Sequence, residues 1–153
     1  MKLQFFRIKL CLICACLMYM PNRVLAMNND GFHQTGPCQA IAMRHLTAAR
    51  AYGVLMVAVG EGPRFAALIT GMTSDDCLSR QAMRVDGVVL LTIPQFYPRQ
   101  GKLGLCELWL RDRADRRFFA NRIENDHFIQ IDGHDINVKN YHLSWRRIAG
   151  SRR

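Results

Sequence analysis

Residues 127–142 read HFIQIDGHDINVKNYH and bring three histidines and two aspartates into one short stretch. Imidazole and carboxylate are the side chains that ligate zinc or move protons near neutral pH, so chemistry is sought here first. Ile131 and Ile136 bracket Asp132-Gly133-His134-Asp135, and apolar residues alternate with polar ones on both sides, which predicts a β-hairpin. With Ile131 facing Ile136, the other pairs are Gln130 with Asn137, Ile129 with Val138, Phe128 with Lys139 and His127 with Asn140. His127, Ile129, Ile131, Ile136, Val138, Asn140 and His142 then share one side. His134, at the turn, lies on the order of 17 Å from His127, whereas metal ligands sit ~2 Å from one ion. Only His127 and His142 can meet, and zinc would need a third ligand from elsewhere. No metal and no cofactor is expected. Asp132 and Asp135 face one another across the turn, an unfavourable pair unless the loop splays or a cation sits between them.

Cys38 is the second candidate. The stretch PCQAIAMRHLTAARAY, residues 37–52, carries Cys38, Ile41, Ala42, His45, Leu46 and Ala49 at helical spacing. Pro37 suits the first turn and Gly53 the C-terminal cap, so a helix over 37–52 is expected. A thiol in the first turn of a helix is pushed toward thiolate by the backbone N–H groups and the helix dipole. His45 lies two turns on, ~10 Å along the axis, too far to act as its base. His127 or His142 would have to serve. The order of cysteine, helix, strands and later histidines is loosely similar to that of papain-like and NlpC-type hydrolases. That resemblance implies a cysteine-dependent hydrolase using Cys38 with His127 or His142. No family signature surrounds Cys38, and the first strand after the helix lacks a histidine. No GxSxG, HExxH, Walker or EF-hand pattern occurs in the sequence, and no pair of carboxylates is spaced for acid–base work.

These residues must be read against where the chain is expected to reside. Lys2, Arg7 and Lys9 precede an uncharged apolar run at residues 10–20, Pro21 ends it, and Val24-Leu25-Ala26 fits a cleavage site. That is the order of parts in a secretory signal peptide over residues 1–26, and the run is shorter than the ~20 residues of a spanning helix. The mature chain is then expected in the periplasm or outside the cell, with no transmembrane domain after processing. The whole chain carries 21 Lys+Arg against 12 Asp+Glu, a net +9. Four of the basic residues lie in residues 1–26, so 17 against 12 leaves +5. That charge implies weak attraction to anionic surfaces, not a specific nucleic-acid partner. The densest basic groups, Arg111-Arg113-Arg116-Arg117 and Arg146-Arg147 with Arg152-Arg153, give a second alternative, binding of anionic polymers. Of six cysteines, Cys38, Cys77 and Cys106 remain after processing, enough for one bridge. Cys38 and Cys77 both open predicted elements, so a Cys38–Cys77 disulfide is expected, which would exclude the hydrolase. Cys106 reads as a buried thiol.

The elements that position all this follow from pattern. Residues 27–36 are polar and read as a flexible arm, residues 37–150 as one domain, and 151–153 as a basic tail. Residues 54–59 and 65–70 are apolar nearly throughout and flank Gly60-Glu61-Gly62-Pro63, a hairpin central enough to be covered on both faces. Ser74-Asp75-Asp76 starts a short helix, and residues 85–93, 103–111 and 117–123 read as further strands. The fold class expected is α+β, an N-terminal helix on a mainly antiparallel sheet or small partly open barrel of about six strands. Pro94-Gln95-Phe96-Tyr97-Pro98 reads as an aromatic loop. Phe96, Tyr97, Arg99 and Trp109 are the candidate binding residues, since aromatics and Arg are enriched where proteins meet. The function expected is a non-enzymatic binding or assembly module of the cell envelope. An inhibitor, an immunity-like protein or an accessory subunit would fit, its partner another envelope or secreted protein.

Overall fold

The computed structural model describes residues 31–150 with the exception of residue 61. The expected signal peptide, residues 27–30 of the expected arm and the tail at 151–153 lie outside the described residues. Strands β1 (His33–Gly36), β2 (Gln39–His45), β3 (Ala51–Val59) and β4 (Gly62–Met72) form an antiparallel meander. A five-residue helix α1 (Ser74–Leu78) follows, then β5 (Ala82–Val85), β6 (Val88–Pro98) and β7 (Gly104–Leu110). Helix α2 (Arg113–Asn125), β8 (Phe128–Ile131), β9 (His134–Asn137) and helix α3 (Tyr141–Gly150) complete the order. Nine strands lie in the order β1-β2-β3-β4-β7-β6-β5-β8-β9, all antiparallel, curled into a half-barrel.

The expected N-terminal helix on a six-strand sheet is therefore wrong. Residues 37–52 form instead the Pro37-Cys38 turn, β2, a loop and the start of β3. The reason is burial on both sides. Ala40 and Ala42 face the concave interior while Ile41 and Met43 face outward, and all four are buried. A strand covered on both faces shows no polar alternation, and its apolar residues then fit a helical template equally well. Thr47 makes the loop, its hydroxyl accepting hydrogen bonds from Arg50 N at 2.9 Å and Ala49 N at 3.3 Å. Every residue of β3 from Ala51 to Ala58 is buried. His33–Gly36, within the expected arm, is edge strand β1, and Phe32 beside it is buried.

The concave side holds the main core. Phe119 and Ile123, four residues apart on α2, are fully buried, so the FF…I spacing read as a strand over 117–123 belongs to a helix. Tyr141, Ser144 and Ile148 turn the same face of α3 inward. Phe65 meets the Phe119 ring at 6.4 Å and the Tyr141 ring at 5.9 Å. Burying such an aromatic contributes ~3–5 kcal/mol against truncation to Ala. Ser144 Oγ donates to Phe32 O at 3.2 Å, tying α3 to the start of the described chain.

The single bridge among the described residues joins Cys77 to Cys106, with Cα atoms 5.5 Å apart, and Cys38 is free. The Cys38–Cys77 pairing is thus corrected. Helix α1 packs against β6, and both bridged cysteines are fully buried in the inner core. Cys38 sits in the β1–β2 turn, where its carbonyl accepts from Ala58 N, with β3 and β4 between β2 and β7.

The sheet is narrowest at β5–β8, where one Cα pair, Val85 with Ile131, spans the strands. Two Asp-Gly turns reinforce this joint. Asp86 and Asp132 adopt φ of 47° and 48°, each followed by a positive-φ glycine. That is the geometry that Asp-Gly supplies in a two-residue hairpin turn. Asp86 N donates to Gln130 O at 2.9 Å, and Gln130 N donates back to the Asp86 carboxylate at 2.8 Å. Asp132 N donates to Arg84 O at 2.8 Å, and Arg84 N to the Asp132 carboxylate at 2.9 Å. Arg122 pairs with Asp86 at 2.8 Å and Arg80 with Asp132 at 2.7 Å.

Candidate binding face

The opening histidine stretch does not assemble a site. Its hairpin turns at Asp132-Gly133, so Ile131 pairs with His134 and Ile129 with Ile136. The expected register is therefore shifted, and His134 joins the inward face. Its ring lies 4.3 Å from that of Tyr52 on β3, where β9 returns across the half-barrel. Asp132 is turned to Arg80 and Arg84 N, and Asp135 approaches Arg44 at 4.0 Å, so the two aspartates do not oppose each other. Asn137 accepts from Lys139 N at 3.0 Å and Asn140 takes a φ of 65°, which ends the hairpin and starts α3. His142 is consequently exposed on a helix, while His127 is exposed before β8. Among the described residues no group of histidine, cysteine and carboxylate side chains could hold a metal. Cys38 lies in a hairpin turn and not at a helix N-terminus, so the physical premise of an activated thiol is missing.

The aromatic candidates divide by face. Residues 94–98 belong to β6, not to a loop, and both prolines stand beyond the part of β6 that pairs with β5. An edge tolerates proline because no N–H is required there. Phe96 packs on the inner core. Tyr97 and Trp109 pack on the opposite, outer face, and Arg99 is exposed in the β6–β7 loop.

The register of five strands sets out that outer face as rows. One row runs Ile41, Leu55, Ala66, Trp109, Ile93 and the next Met43, Gly53, Leu68, Glu107, Gln95. In the third, His45 pairs with Ala51 across β2–β3, and Thr70 with Leu105 and Tyr97 across β4–β7–β6. Gly53 is dictated by close approach, because a Cβ there would strike Met43 Sδ and the Ala42 carbonyl. Ile41, Leu55 and Leu68 are each 1% exposed. Yet the cluster draws its described members from β2, β3, β4 and β7 with Tyr97 and Trp109, and none from α1, α2 or α3.

A carboxylate sits inside this face. Glu107 is 4% exposed, accepts from Trp109 Nε1 at 2.9 Å and shares the single Tyr97 hydroxyl proton with Gln95 Oε1, which lies 3.0 Å from that hydroxyl. Burial holds the Glu107 pKa above its ordinary value, and the hydrogen bonds from Trp109 and Tyr97 only partly offset it. Burial, with Glu107 beside it, pushes the Tyr97 hydroxyl up to about 12. On the β1–β2 side, buried nitrogen atoms of His33, Gln39 and His45 have no hydrogen-bond partner. A buried polar atom without a partner costs ~1–3 kcal/mol, which a bound group could recover. Comparison with known proteins brings no match: no family model, curated protein or solved structure is significantly similar to this chain.

Sequence reasoning placed Tyr97 and Trp109 on the binding surface and Phe96 with them, which the face assignment separates. It passed over Glu107. The signal was there: in GLCELWL a lone acid alternates with Leu105 and Trp109 on one face of a strand whose neighbours are apolar. The face has what a binding surface needs: an apolar centre, two amphipathic aromatics and hydrogen-bonding groups at its border.

Proposed function

We propose that the protein is an exported binding module that holds another envelope or secreted protein against the outer face of β2–β3–β4–β7–β6. The carrying observation is Glu107, buried beside half-buried Trp109 and Tyr97 within a mainly apolar sheet face to whose cluster no described helix contributes. Such a surface suits a partner presenting an apolar strip, an amphipathic helix for instance, with a donor or cation for Glu107. Burying an isolated carboxylate is costly unless it is paired, and a partner's cation would supply the pair. The disulfide, the charge pattern of the N-terminal segment and the lack, among the described residues, of a helix long and apolar enough to cross a membrane support this reading.

The test places a photo-crosslinking residue at Trp109 in the exported chain, with a control at Val89, an exposed residue of β6 outside the cluster. The expected result is an adduct with one exported protein at 109, absent at 89, and lost when Glu107→Lys is added while folding is unchanged. Equal labelling at both positions, or an adduct indifferent to Glu107→Lys, refutes the assignment.

A further inference from the structure

The turn between β5 and β6 carries apolar side chains that the core does not use. Val88 and Val89 open β6 and are 46% and 56% exposed. Successive residues of a strand point to opposite faces, so this end of the sheet is apolar on both sides. Phe128, 48% exposed, is brought close by β8, because Gln130, two residues on, is hydrogen bonded to Asp86 of the turn. Cations surround these three side chains. Arg84 pairs with Val89 across the strands, and Lys139 Nζ lies 5.4 Å from the centre of the Phe128 ring. Helix α2 is held to the same turn by the Arg122–Asp86 ion pair and to β6 by Leu91 N, which donates to Asp115. Its exposed Arg113 and Arg117 are one turn apart and share a face. Among the described residues Arg84, Arg113 and Arg117 make no ion pair. The neighbouring acids are engaged: Asp86 and Asp126 by Arg122, Asp112 by Arg111 and Glu124 by the Tyr141 hydroxyl.

We propose that this end of the half-barrel seats the exported protein on the surface of an anionic phospholipid bilayer. Val88, Val89 and Phe128 enter the interfacial layer, and Arg84, Lys139, Arg113 and Arg117 meet the lipid phosphates. Two observations select a bilayer. A protein seated on one face of the sheet would cover only one of the two valines, whereas an apolar phase entered by the turn takes up both. The cations around them carry charge that the chain leaves uncompensated, the complement of an anionic headgroup layer, and each basic residue near such a surface adds to the attraction. The turn also carries little polar cost into the interface, since Asp86 N is already bonded to Gln130 O. The contact is peripheral, with side chains at the boundary of headgroups and acyl chains, as for other amphipathic surfaces that lie on a membrane. It uses residues other than those of the outer-face cluster, so it stands beside the protein-partner reading and does not depend on it.

The test uses the protein purified after export and vesicles of phosphatidylglycerol with phosphatidylethanolamine, with phosphatidylcholine vesicles as the neutral reference. In a Cys38→Ser background, Val89→Cys carries a nitrobenzoxadiazole fluorophore. The control label is at Leu103→Cys, an exposed position beyond the far end of β6, roughly 30 Å or more away. Anionic vesicles are expected to shift the emission at 89 to the blue and raise it, phosphatidylcholine to leave it unchanged, and the label at 103 to respond to neither. No response at 89, or an equal response at 103, overturns the proposal; the first is what a protein partner at this turn would give. Vesicle flotation supplies the second arm. Val88→Ser/Val89→Ser is expected to weaken binding to anionic vesicles by at least about tenfold. Arg113→Gln/Arg117→Gln is expected to weaken it by roughly 25-fold, about fivefold for each arginine. Both helix positions are exposed, so the glutamine variant decides the matter if the serine variant loses its circular dichroism spectrum. Wild-type binding by the folded glutamine variant overturns the proposal. Neither arm contains a partner protein, so their failure is separable from failure of the crosslinking experiment.

Discussion

Reduction of the Cys77–Cys106 bridge offers the most quantitative test of the fold. The bridge closes a loop with a sequence separation of 29 residues. In the chain-entropy account, the loss of unfolded-state entropy is about 2.1 cal/mol/K plus 1.5R ln n, which for n of about 29 comes to about 12 cal/mol/K, or ~3.6 kcal/mol at 25 °C. The described domain of about 120 residues has an unfolding entropy near 0.25 kcal/mol/K by the per-residue average, so the loss corresponds to roughly 14 °C in Tm. The assay is guanidinium unfolding of the mature protein followed by Trp fluorescence, with and without dithiothreitol. The double variant Cys77→Ala/Cys106→Ala serves as control. Reduced wild type is expected to lose ~3–4 kcal/mol and to gain a steeper denaturant slope as its unfolded chain expands. The double variant should ignore the reductant. Sensitivity that persists in the double variant, or vanishes in Cys38→Ser, would show that the bridge lies elsewhere. A loss below about 1 kcal/mol would refute the loop-closure reasoning.

Other predictions follow from particular groups. Because burial raises the Glu107 pKa, its ionisation weighs against the folded state as pH rises from the ordinary carboxylate range through the raised value. Glu107→Gln should therefore unfold at higher denaturant than wild type at pH 7, by ~1.4 kcal/mol per unit of displacement, and the advantage should vanish below about pH 4. In ultraviolet titration of the folded protein, Tyr97 should remain protonated until pH approaches about 12, and Tyr97→Phe should remove that late transition. Tyr141, raised by burial and by Glu124, should also ionise late, and the stability tied to both hydroxyls should fall as pH rises above the ordinary tyrosine value of about 10. Asp86→Ala should cost ~2–4 kcal/mol in chemical denaturation, since it strips charge-assisted bonds from Gln130 N and Arg122 and leaves a side chain poorly suited to positive φ. A cost under about 0.5 kcal/mol would show that the turn is not held by its carboxylate.

How much of this could be read from sequence depends on how each element is covered. The hairpin of β3 and β4 was legible because long apolar runs flank a glycine-rich turn, and its burial on both faces follows from those runs. β7 and the short helix after Thr73 were legible too, although the cap is Thr73, whose hydroxyl accepts from Asp76 N, and not Ser74. The same two-sided burial hid β2, since Ala40 to Met43 satisfy a helical and an extended template alike. At α3, the asparagine turn at Asn137 to Asn140 was overlooked, and a continued alternation carried the hairpin too far. The Asp86-Gly87 dipeptide was likewise missed, so residues 85–93 read as one strand across a turn and β5 before Val85 was not read as a strand. Pairing Cys77 with Cys106 depends on α1 folding back onto β6, a long-range event that no local pattern records. The outer face was half visible: Tyr97 and Trp109 stood out by type, whereas Glu107 is informative only once its neighbours on β4 and β6 are known.

The joint between β5 and β8 has a mechanical consequence. Four backbone amides, those of Arg84, Asp86, Gln130 and Asp132, are engaged across it, and two of them end on aspartate side chains that also hold Arg80 and Arg122. An ordinary strand pair frays from its ends one rung at a time. Here each turn grips the opposite strand, so neither end is free to start. Release of either aspartate undoes its own amide rung and its arginine together, and the last hairpin would part from the sheet as a unit. The seam behaves as a latch with two catches, and hydrogen exchange at those four amides should be correlated, all slow or all fast.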